Sequence, residues 1–209
     1  MTSAADKRAN RAALLFDIVE RVFLVVLSAS AIIRLGPSVA DDRRVLLILI
    51  SEGLAVAFIL LRRRAYSSHI NPYTTLIAFA GTAAPLLVTA GGDPLIPVTV
   101  GVVLMMAGLL LNIWAKVSLN RSFGLAAANR GIKRAGPYRL LRHPMYAGYM
   151  TTQVAFLLLH PNKWNLVIYT VAWSIQILRI QAEEKLLLDD PMYRAYADEV
   201  RFRLAPGLY

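Results

Sequence analysis

The stretch GPYRLLRHPMYAGYM, residues 136–150, marks the point where a basic loop enters an apolar helix. His143 precedes a proline, so its backbone is expected to be extended, because the proline ring disfavours the helical conformation of the residue before it. Pro144 suits the first turn of a helix, where no backbone N–H is needed. The stretch therefore predicts a helix with Arg, His and Tyr side chains at its entrance.

The chain around this stretch is too apolar for an ordinary soluble domain. Of its 209 residues, 57% are hydrophobic, and the mean hydropathy is +0.51. The net charge of +10, beside such apolar runs, favours a membrane surface over nucleic acid as the partner. The absence of cysteine excludes disulfides, thiolate metal sites and cysteine nucleophiles. No metal site is predicted.

Six apolar runs approach the length of about 20 residues that a membrane-spanning helix needs. The sequence therefore predicts an all-α, polytopic helical bundle with about six spans, of which the last two form a tight hairpin. A short helix should follow, with Tyr193, Tyr196 and Val200 on one apolar side. The predicted spans are residues 14–35, 45–61, 74–90, 95–117, 145–159 and 164–180.

The distribution of positive charge predicts the orientation of these spans. With the N-terminus inside, 18 of the 23 Lys and Arg residues lie on the inner side and four on the outer side. Cytoplasmic loops are typically the positive ones, so both termini and the basic loop are predicted on the cytoplasmic side, at the plasma or inner membrane if the protein is bacterial. The start, MTSAADKRANRAA, is polar and basic, and is expected to be a retained cytoplasmic arm.

Several polar residues fall where hydrocarbon alone does not require them. Glu52 lies inside a predicted span, either as a functional group or as a protonated or paired carboxyl group in the bundle interior. Arg142 and His143 adjoin a predicted helix N-terminus, which attracts a carboxylate or a lipid head group. Arg179 and Glu183 are four residues apart and share a helix face. A salt bridge at a solvated helix end would also explain that pair.

Three segments together resemble the isoprenylcysteine carboxyl methyltransferase family, a broad group that also includes phospholipid N-methyltransferases. They read GPYRLLRHPMYAG, RIQAEEKLL and YRAYADEVRFRLAP, in that order. The resemblance implies an integral membrane enzyme that takes its methyl group from S-adenosylmethionine at the cytoplasmic face. It also implies one integrated domain, with membrane spans in residues 1–117 and a methyltransferase region in residues 118–209.

The resemblance further implies the residues of the site, by position. Glu183 would bind the cofactor, and Arg179 would hold the polar head of the substrate with support from Arg203. Arg179 and Glu183 would be the catalytic residues. The other cofactor-binding residues that it implies are Tyr138, His143, Pro144, Met145 and Tyr146 and, by offset from Tyr138 alone, Arg130, Gly131, Ile132 and Lys133.

The predicted reaction is methyl transfer to a lipophilic acceptor, in the first place a carboxylate of the isoprenylcysteine type. Displacement at a sulfonium chiefly requires alignment of two partners. A carboxylate is ionised at neutral pH, and Arg can bind it bidentately. The expected partners are a lipophilic or lipidated substrate and membrane lipids, with no nucleic acid.

Three alternatives stay open at this stage. A phospholipid or another amine is a second acceptor class. An NADPH-dependent membrane reductase of the sterol-reductase type would share the RHP signature, although the chain has no glycine-rich nucleotide fingerprint. A non-enzymatic membrane protein would use the motif only to pack helices.

Overall fold

A computed structural model describes residues 4–61, 72–119 and 134–207. Within these ranges the regular structure is helical and contains no β-strand, so the predicted all-α class is confirmed. The predicted cofactor-binding residues Arg130, Gly131, Ile132 and Lys133 lie outside the described residues. In chain order the helices are α1 (Ala4–Leu35), α2 (Ser38–Asp41), α3 (Val45–Leu61), α4 (Pro72–Ala83), α5 (Val98–Leu119), α6 (Pro144–Leu159), α7 (Lys163–Leu187) and α8 (Pro191–Glu199).

The apolar runs locate most of these helices closely. Helix α3 has the predicted bounds, and α6 begins at Pro144, one residue before the predicted start. The run of residues 74–90 is the exception, because α4 ends at Ala83 and a 3₁₀ turn, Ala84–Leu87, follows it. Pro85 lies at the start of that turn, and a proline there has no amide hydrogen to continue the helix.

The apolar surface of the bundle points outward. Ile33 is 76% exposed, Leu110 61% and Val117 67%, which is the arrangement expected of helices that face lipid. Among the described helices, α5 alone is long and apolar enough to cross a membrane. Helix α6 has only 16 residues, and polar and charged residues interrupt α7, so the predicted count of six spans is not confirmed.

The closest helix crossing joins α5 to α6. A Cβ atom on Gly108 would lie 2.7 Å from the carbonyl oxygen of Gly148, and one on Gly148 would lie 2.7 Å from that of Gly108. Small residues permit such close backbone approach in membrane helix pairs. One turn further on, Asn112 Nδ2 donates to the carbonyl oxygen of Met145 at 2.9 Å. The start of α6 is thereby fixed against α5.

The C-terminal region folds back onto the start of α6. Tyr193, Tyr196 and Val200 form one buried cluster, which confirms the predicted apolar stripe on α8. Beyond α8, a segment that we call the C-terminal strap, residues 201–204, pairs with the backbone before α6. The amides of Arg142 and His143 donate to the carbonyl oxygens of residues 202 and 203, respectively, each at 2.9 Å.

Candidate active site

The site lies where α6 begins and α7 ends. Gly136, at a φ of +60°, opens the 3₁₀ turn Gly136–Arg139 in a conformation that other residues rarely adopt. The chain then extends through His143, whose φ of −126° is not helical, as the following proline predicts. Two adjacent carboxylates on α7, Glu183 and Glu184, face the start of α6 and lie in different environments.

Glu184 is the inner carboxylate and is only 2% exposed. Its Oε1 atom accepts from His143 Nε2 at 3.1 Å and lies 3.1 Å from Arg142 Nε. Its Oε2 atom accepts from Arg203 Nε at 2.7 Å. One carboxylate therefore joins α7 to the entrance of α6 and to the C-terminal strap.

The charges around Glu184 determine its ionisation. Burial raises the pKa of this carboxyl group, but the hydrogen bonds from His143 and Arg203 and the charge of Arg142 outweigh it and lower the pKa to about 2. Glu184 is thus a carboxylate at neutral pH. It is the counter-charge of Arg142 and Arg203 and the hydrogen-bond partner of His143.

Glu183 is the outer carboxylate, and 21% of its side chain is exposed. Tyr146 donates its hydroxyl hydrogen to Glu183 Oε1 at 2.6 Å. His143 Nδ1 lies 3.9 Å from Glu183 Oε2, so the imidazole ring stands between the two carboxylates. Glu183 keeps unused acceptor capacity at a surface that a ligand can reach, because a carboxylate accepts about four hydrogen bonds.

Arg179 lies one turn before Glu183 on α7. Its guanidinium carbon is 5.3 Å from the centre of the Tyr146 ring, within the range of a cation–π contact. Helix α4 passes closely here, since a Cβ atom on Gly81 would meet Arg179 Cδ at 3.4 Å. Tyr146 therefore has the predicted substrate residue on its ring and the predicted cofactor residue on its hydroxyl group.

The structure thus brings together most of the residues that the sequence predicts. Tyr138 is buried in the 3₁₀ turn before α6. Pro144 is buried at the first turn of α6, and the carbonyl of the partly exposed Met145 is held by Asn112. Arg203, a predicted substrate residue, donates from Nε to Glu184 Oε2, and 35% of its side chain is exposed.

Glu184 is the residue that the sequence analysis missed. It follows Gln176 and Ile180 at four-residue intervals on α7. Those two residues are 3% and 0% exposed, so they mark the buried face of α7. A carboxylate on that face needs partners, and this signal was present in the sequence.

Residues 96–195 match the family model described as phospholipid methyltransferase. This region, 100 of the 209 residues, is similar to the phospholipid methyltransferase family. The match confirms the resemblance to the broad group of membrane methyltransferases, and it spans α5 to α7 and half of α8. It includes Arg179, Glu183 and the entrance of α6, and it ends before the C-terminal strap. No curated protein sequence matches the chain.

Proposed function

We propose that the protein is an integral membrane methyltransferase that transfers a methyl group from S-adenosylmethionine to a lipophilic acceptor. The family match supports a membrane methyltransferase. The observation that supports the placement of its site is the contact of Tyr146 with both Glu183 and Arg179. That contact puts a residue suited to the donor and a residue suited to the acceptor on two sides of one ring.

Glu183 is suited to bind the donor. When bound, S-adenosylmethionine supplies a methyl group activated by a sulfonium, and it also presents an ammonium group and ribose hydroxyls. Glu183 is partly exposed and can accept hydrogen bonds from these donors, while Tyr146 fixes one of its oxygens. Tyr138, His143, Pro144 and Met145 would line the same pocket. Four further cofactor-binding residues are proposed from the family resemblance alone: Arg130, Gly131, Ile132 and Lys133.

Arg179 is suited to bind an anionic acceptor. Its guanidinium group can hold a carboxylate bidentately and orient it toward the donor. A carboxylate is already ionised at neutral pH, so the reaction needs no residue to remove a proton. The acceptor that we propose first is therefore a lipophilic carboxylate of the isoprenylcysteine type. Arg203 would act in support, through its hydrogen bond to Glu184.

An amine acceptor is the second candidate. The description of the matching family, phospholipid methyltransferase, favours it. The buried carboxyl group of Glu52 favours it as well, since an amine has to lose a proton before it can be methylated. The reductase alternative gains no support from the family match.

The membrane arrangement is part of the proposal. The outward apolar side chains and the positive-charge bias support a multi-pass protein with both termini and the site on the cytoplasmic side. A lipophilic acceptor would then enter from the bilayer, and the water-soluble donor from the cytoplasm.

Ligand binding to the purified protein in detergent tests the donor. S-adenosylmethionine and its demethylated product should raise the unfolding temperature, with a stabilisation that grows as the logarithm of ligand concentration above the Kd, and NADPH should not. Stabilisation by NADPH alone would reject the proposal. The variant Glu183→Gln should reduce this stabilisation. Its matched control is Glu199→Gln, at an exposed residue of α8 that pairs with Arg134.

Methyl transfer to a lipid extract tests the acceptor side. Arg179→Ala should reduce transfer of labelled methyl from the donor to the organic phase, while donor binding is retained. Arg179→Lys should restore part of the activity, because the charge returns without the bidentate geometry. Normal transfer by Arg179→Ala would remove the role of Arg179.

A further inference from the structure

The connection between α6 and α7 holds a buried histidine that the proposed reaction does not use. His160 is 3% exposed, and its ring packs against Phe156 with the ring centroids 4.6 Å apart. The Nδ1 atom of His160 accepts a hydrogen bond from the amide of Gly91 at 3.3 Å. The imidazole is therefore neutral in this arrangement, with its proton on Nε2, because a ring nitrogen that accepts a hydrogen bond carries no hydrogen.

The amide of Gly91 belongs to a sharp bend that we call the glycine corner, Gly91–Gly92. Both glycines have a positive φ, 130° and 95°, which other residues rarely adopt. A Cβ atom on Gly92 would collide with the carbonyl oxygen of Pro161. The glycine corner thus fits closely onto the α6–α7 connection, and the His160 ring is a hydrogen-bond acceptor for it there.

The residues on either side of the glycine corner are held by groups that do not titrate. Before it, the amide of Thr89 donates to Asn165 Oδ1 at 2.9 Å. After it, the amide of Leu95 donates to the carbonyl oxygen of Leu158 at 2.8 Å. Of these three hydrogen bonds, the one to His160 is titratable. Protonation of His160 would therefore act on the glycine corner while the segment stays anchored on both sides.

Within the described residues, two charged side chains act on the His160 ring, both from the connection between α2 and α3. Asp42 Oδ2 lies 3.4 Å from His160 Nε2, without the alignment of a hydrogen bond. Arg44 Nη2 contacts the same carboxylate oxygen at 2.5 Å. Asp42 is thereby already paired with a cation, which weakens its attraction for an imidazolium. From α6, α7 and the glycine corner the ring or backbone of His160 contacts uncharged groups, in Phe156, Asn165 and Gly91.

Protonation of His160 is incompatible with its hydrogen bond from Gly91. It adds a hydrogen to Nδ1, which would then face the amide hydrogen of Gly91, and two donors cannot bond to each other. Burial lowers the pKa of His160 by more than the charge of Asp42 raises it, and Arg44 lowers it further. A ring released into water has a pKa of about 6.5. The hydrogen bond is thus fully present above that pH and is lost progressively as the pH falls below it.

We propose that His160 is a pH-sensitive latch, whose protonation releases the glycine corner from the α6–α7 connection. The latch lies at the end of the α6–α7 pair opposite Glu183 and Glu184. In the proposed orientation this end faces the side of the membrane away from the donor. The protein would then respond to acidity outside the cytoplasm, whether or not it transfers methyl groups.

Hydrogen–deuterium exchange at single amides of the full-length protein in detergent tests the latch. The rates are corrected for the chemical effect of pH on exchange. In the wild-type protein, protection of the Gly91 amide should fall about tenfold from pH 7 to pH 5, while the amides of Thr89 and Leu95 retain theirs. Constant protection of Gly91 would overturn the proposal. Equal losses at all three amides would also overturn it, because the whole end of the bundle would then be opening.

Variants of His160 separate its titration from its packing. His160→Asn offers an amide oxygen close to the position of Nδ1, so the Gly91 amide should stay protected at both pH values. His160→Phe provides no acceptor, so Gly91 should be weakly protected at both. A pH dependence that persists in His160→Asn would belong to another group and would contradict the proposal. If His160→Phe fails to fold, His160→Asn and the wild-type protein decide.

The charge of Asp42 provides a further test, with a sign that a purely structural role does not predict. Asp42→Asn removes the attraction for the imidazolium, so the loss of Gly91 protection should move to a lower pH. Asp41→Asn, at the exposed neighbouring position, is the matched control and should leave the transition unchanged. His143→Asn removes the histidine of the candidate active site and should also leave it unchanged. A transition that stays in place or moves to a higher pH in Asp42→Asn would contradict the latch.

Discussion

Opposite ends of the α6–α7 pair are closed by two buried hubs of different chemistry. At one end, the amide of Asn165 donates to the carbonyl oxygens of Thr89 and His160 and accepts from the Thr89 amide, at 2.8, 3.0 and 2.9 Å. At the other end, Glu184 binds His143, Arg142 and Arg203. Both hubs join three segments, one by neutral groups and one by charges.

The difference shows what each end is for. Asn165 is 0% exposed, and its side chain is bonded to the backbone of Thr89 and His160, so we expect this end to have a structural role. The Glu184 hub instead fixes charged side chains beside Glu183, which is open to a ligand. A neutral amide is sufficient to hold backbone segments, whereas a site for charged ligands needs charges held in fixed positions.

The largest expected effect comes from Glu184→Ala. Removal of this carboxylate leaves Arg142 and Arg203 without their counter-charge and His143 without its hydrogen-bond partner, which should cost about 3 kcal/mol of unfolding free energy. Binding of S-adenosylhomocysteine should also be lost, because His143 and the C-terminal strap are no longer held. Thermal unfolding and calorimetry measure the two effects, with Glu199→Ala as control. A stable variant that binds S-adenosylhomocysteine normally would show that Glu184 does not position His143 or the C-terminal strap.

Asn165→Leu should be nearly as destabilising but should leave the site intact. It leaves the backbone N–H and C=O groups of Thr89 unpaired and leaves the His160 carbonyl with only the donor Asn162 Nδ2 at 3.5 Å, at a cost of about 2 kcal/mol. The affinity for S-adenosylhomocysteine should stay within about twofold of the wild-type value. Ser174→Ala, on the exposed side of the same helix, is the control. A large loss of affinity in Asn165→Leu would erase the distinction between the two ends.

Glu183→Gln should show the opposite pattern to Asn165→Leu, with weaker ligand binding and nearly unchanged stability. The substitution retains the shape but removes the charge, so S-adenosylhomocysteine should bind about tenfold more weakly. Stability should change little, since the residue is partly exposed and makes one hydrogen bond, to Tyr146. If Glu183→Gln lost stability but bound S-adenosylhomocysteine normally, Glu183 would have a structural role and would not be the residue that binds the donor.

The smallest expected effect is a pH dependence of stability. The pKa of Glu184 is lowered from 4.5 to about 2, so its contribution is fully present above pH 4.5 and is lost as the pH falls toward 2. By pH 4 the loss should be about 1 kcal/mol. The unfolding temperatures of the wild-type protein and of Glu184→Gln, compared between pH 7 and 4, isolate this contribution. Parallel profiles for the two proteins would show that the carboxylate is not held as described.

Much of the helical framework was predictable from sequence because it depends on local properties. Apolar runs set the extent of α3, α5 and α6, and the proline after His143 set the start of α6. The end of the helix in residues 74–90 was predicted wrongly. The run is mostly apolar, and only Pro85 marks where the helix ends.

The candidate site was predictable only in part, because its contacts join distant residues. The motif supplied His143 and Tyr146, and the family resemblance supplied Arg179 and Glu183. The role of Glu184 depends on the packing of α7 and on a strap about 20 residues downstream. The contact of His160 with Asp42, 3.4 Å across the far end of the bundle, likewise has no local signal.

The backbone pairing between residues 142–143 and residues 202–203 also dictates an order of assembly. On the ribosome, the entrance of α6 is made about 60 residues before the strap that completes its hydrogen bonds. Helices α5 to α7 can pack while this edge is still open, and the candidate site is completed only after Arg203 has left the exit tunnel. Nascent chains stopped before the strap should therefore be inserted but unable to retain the donor.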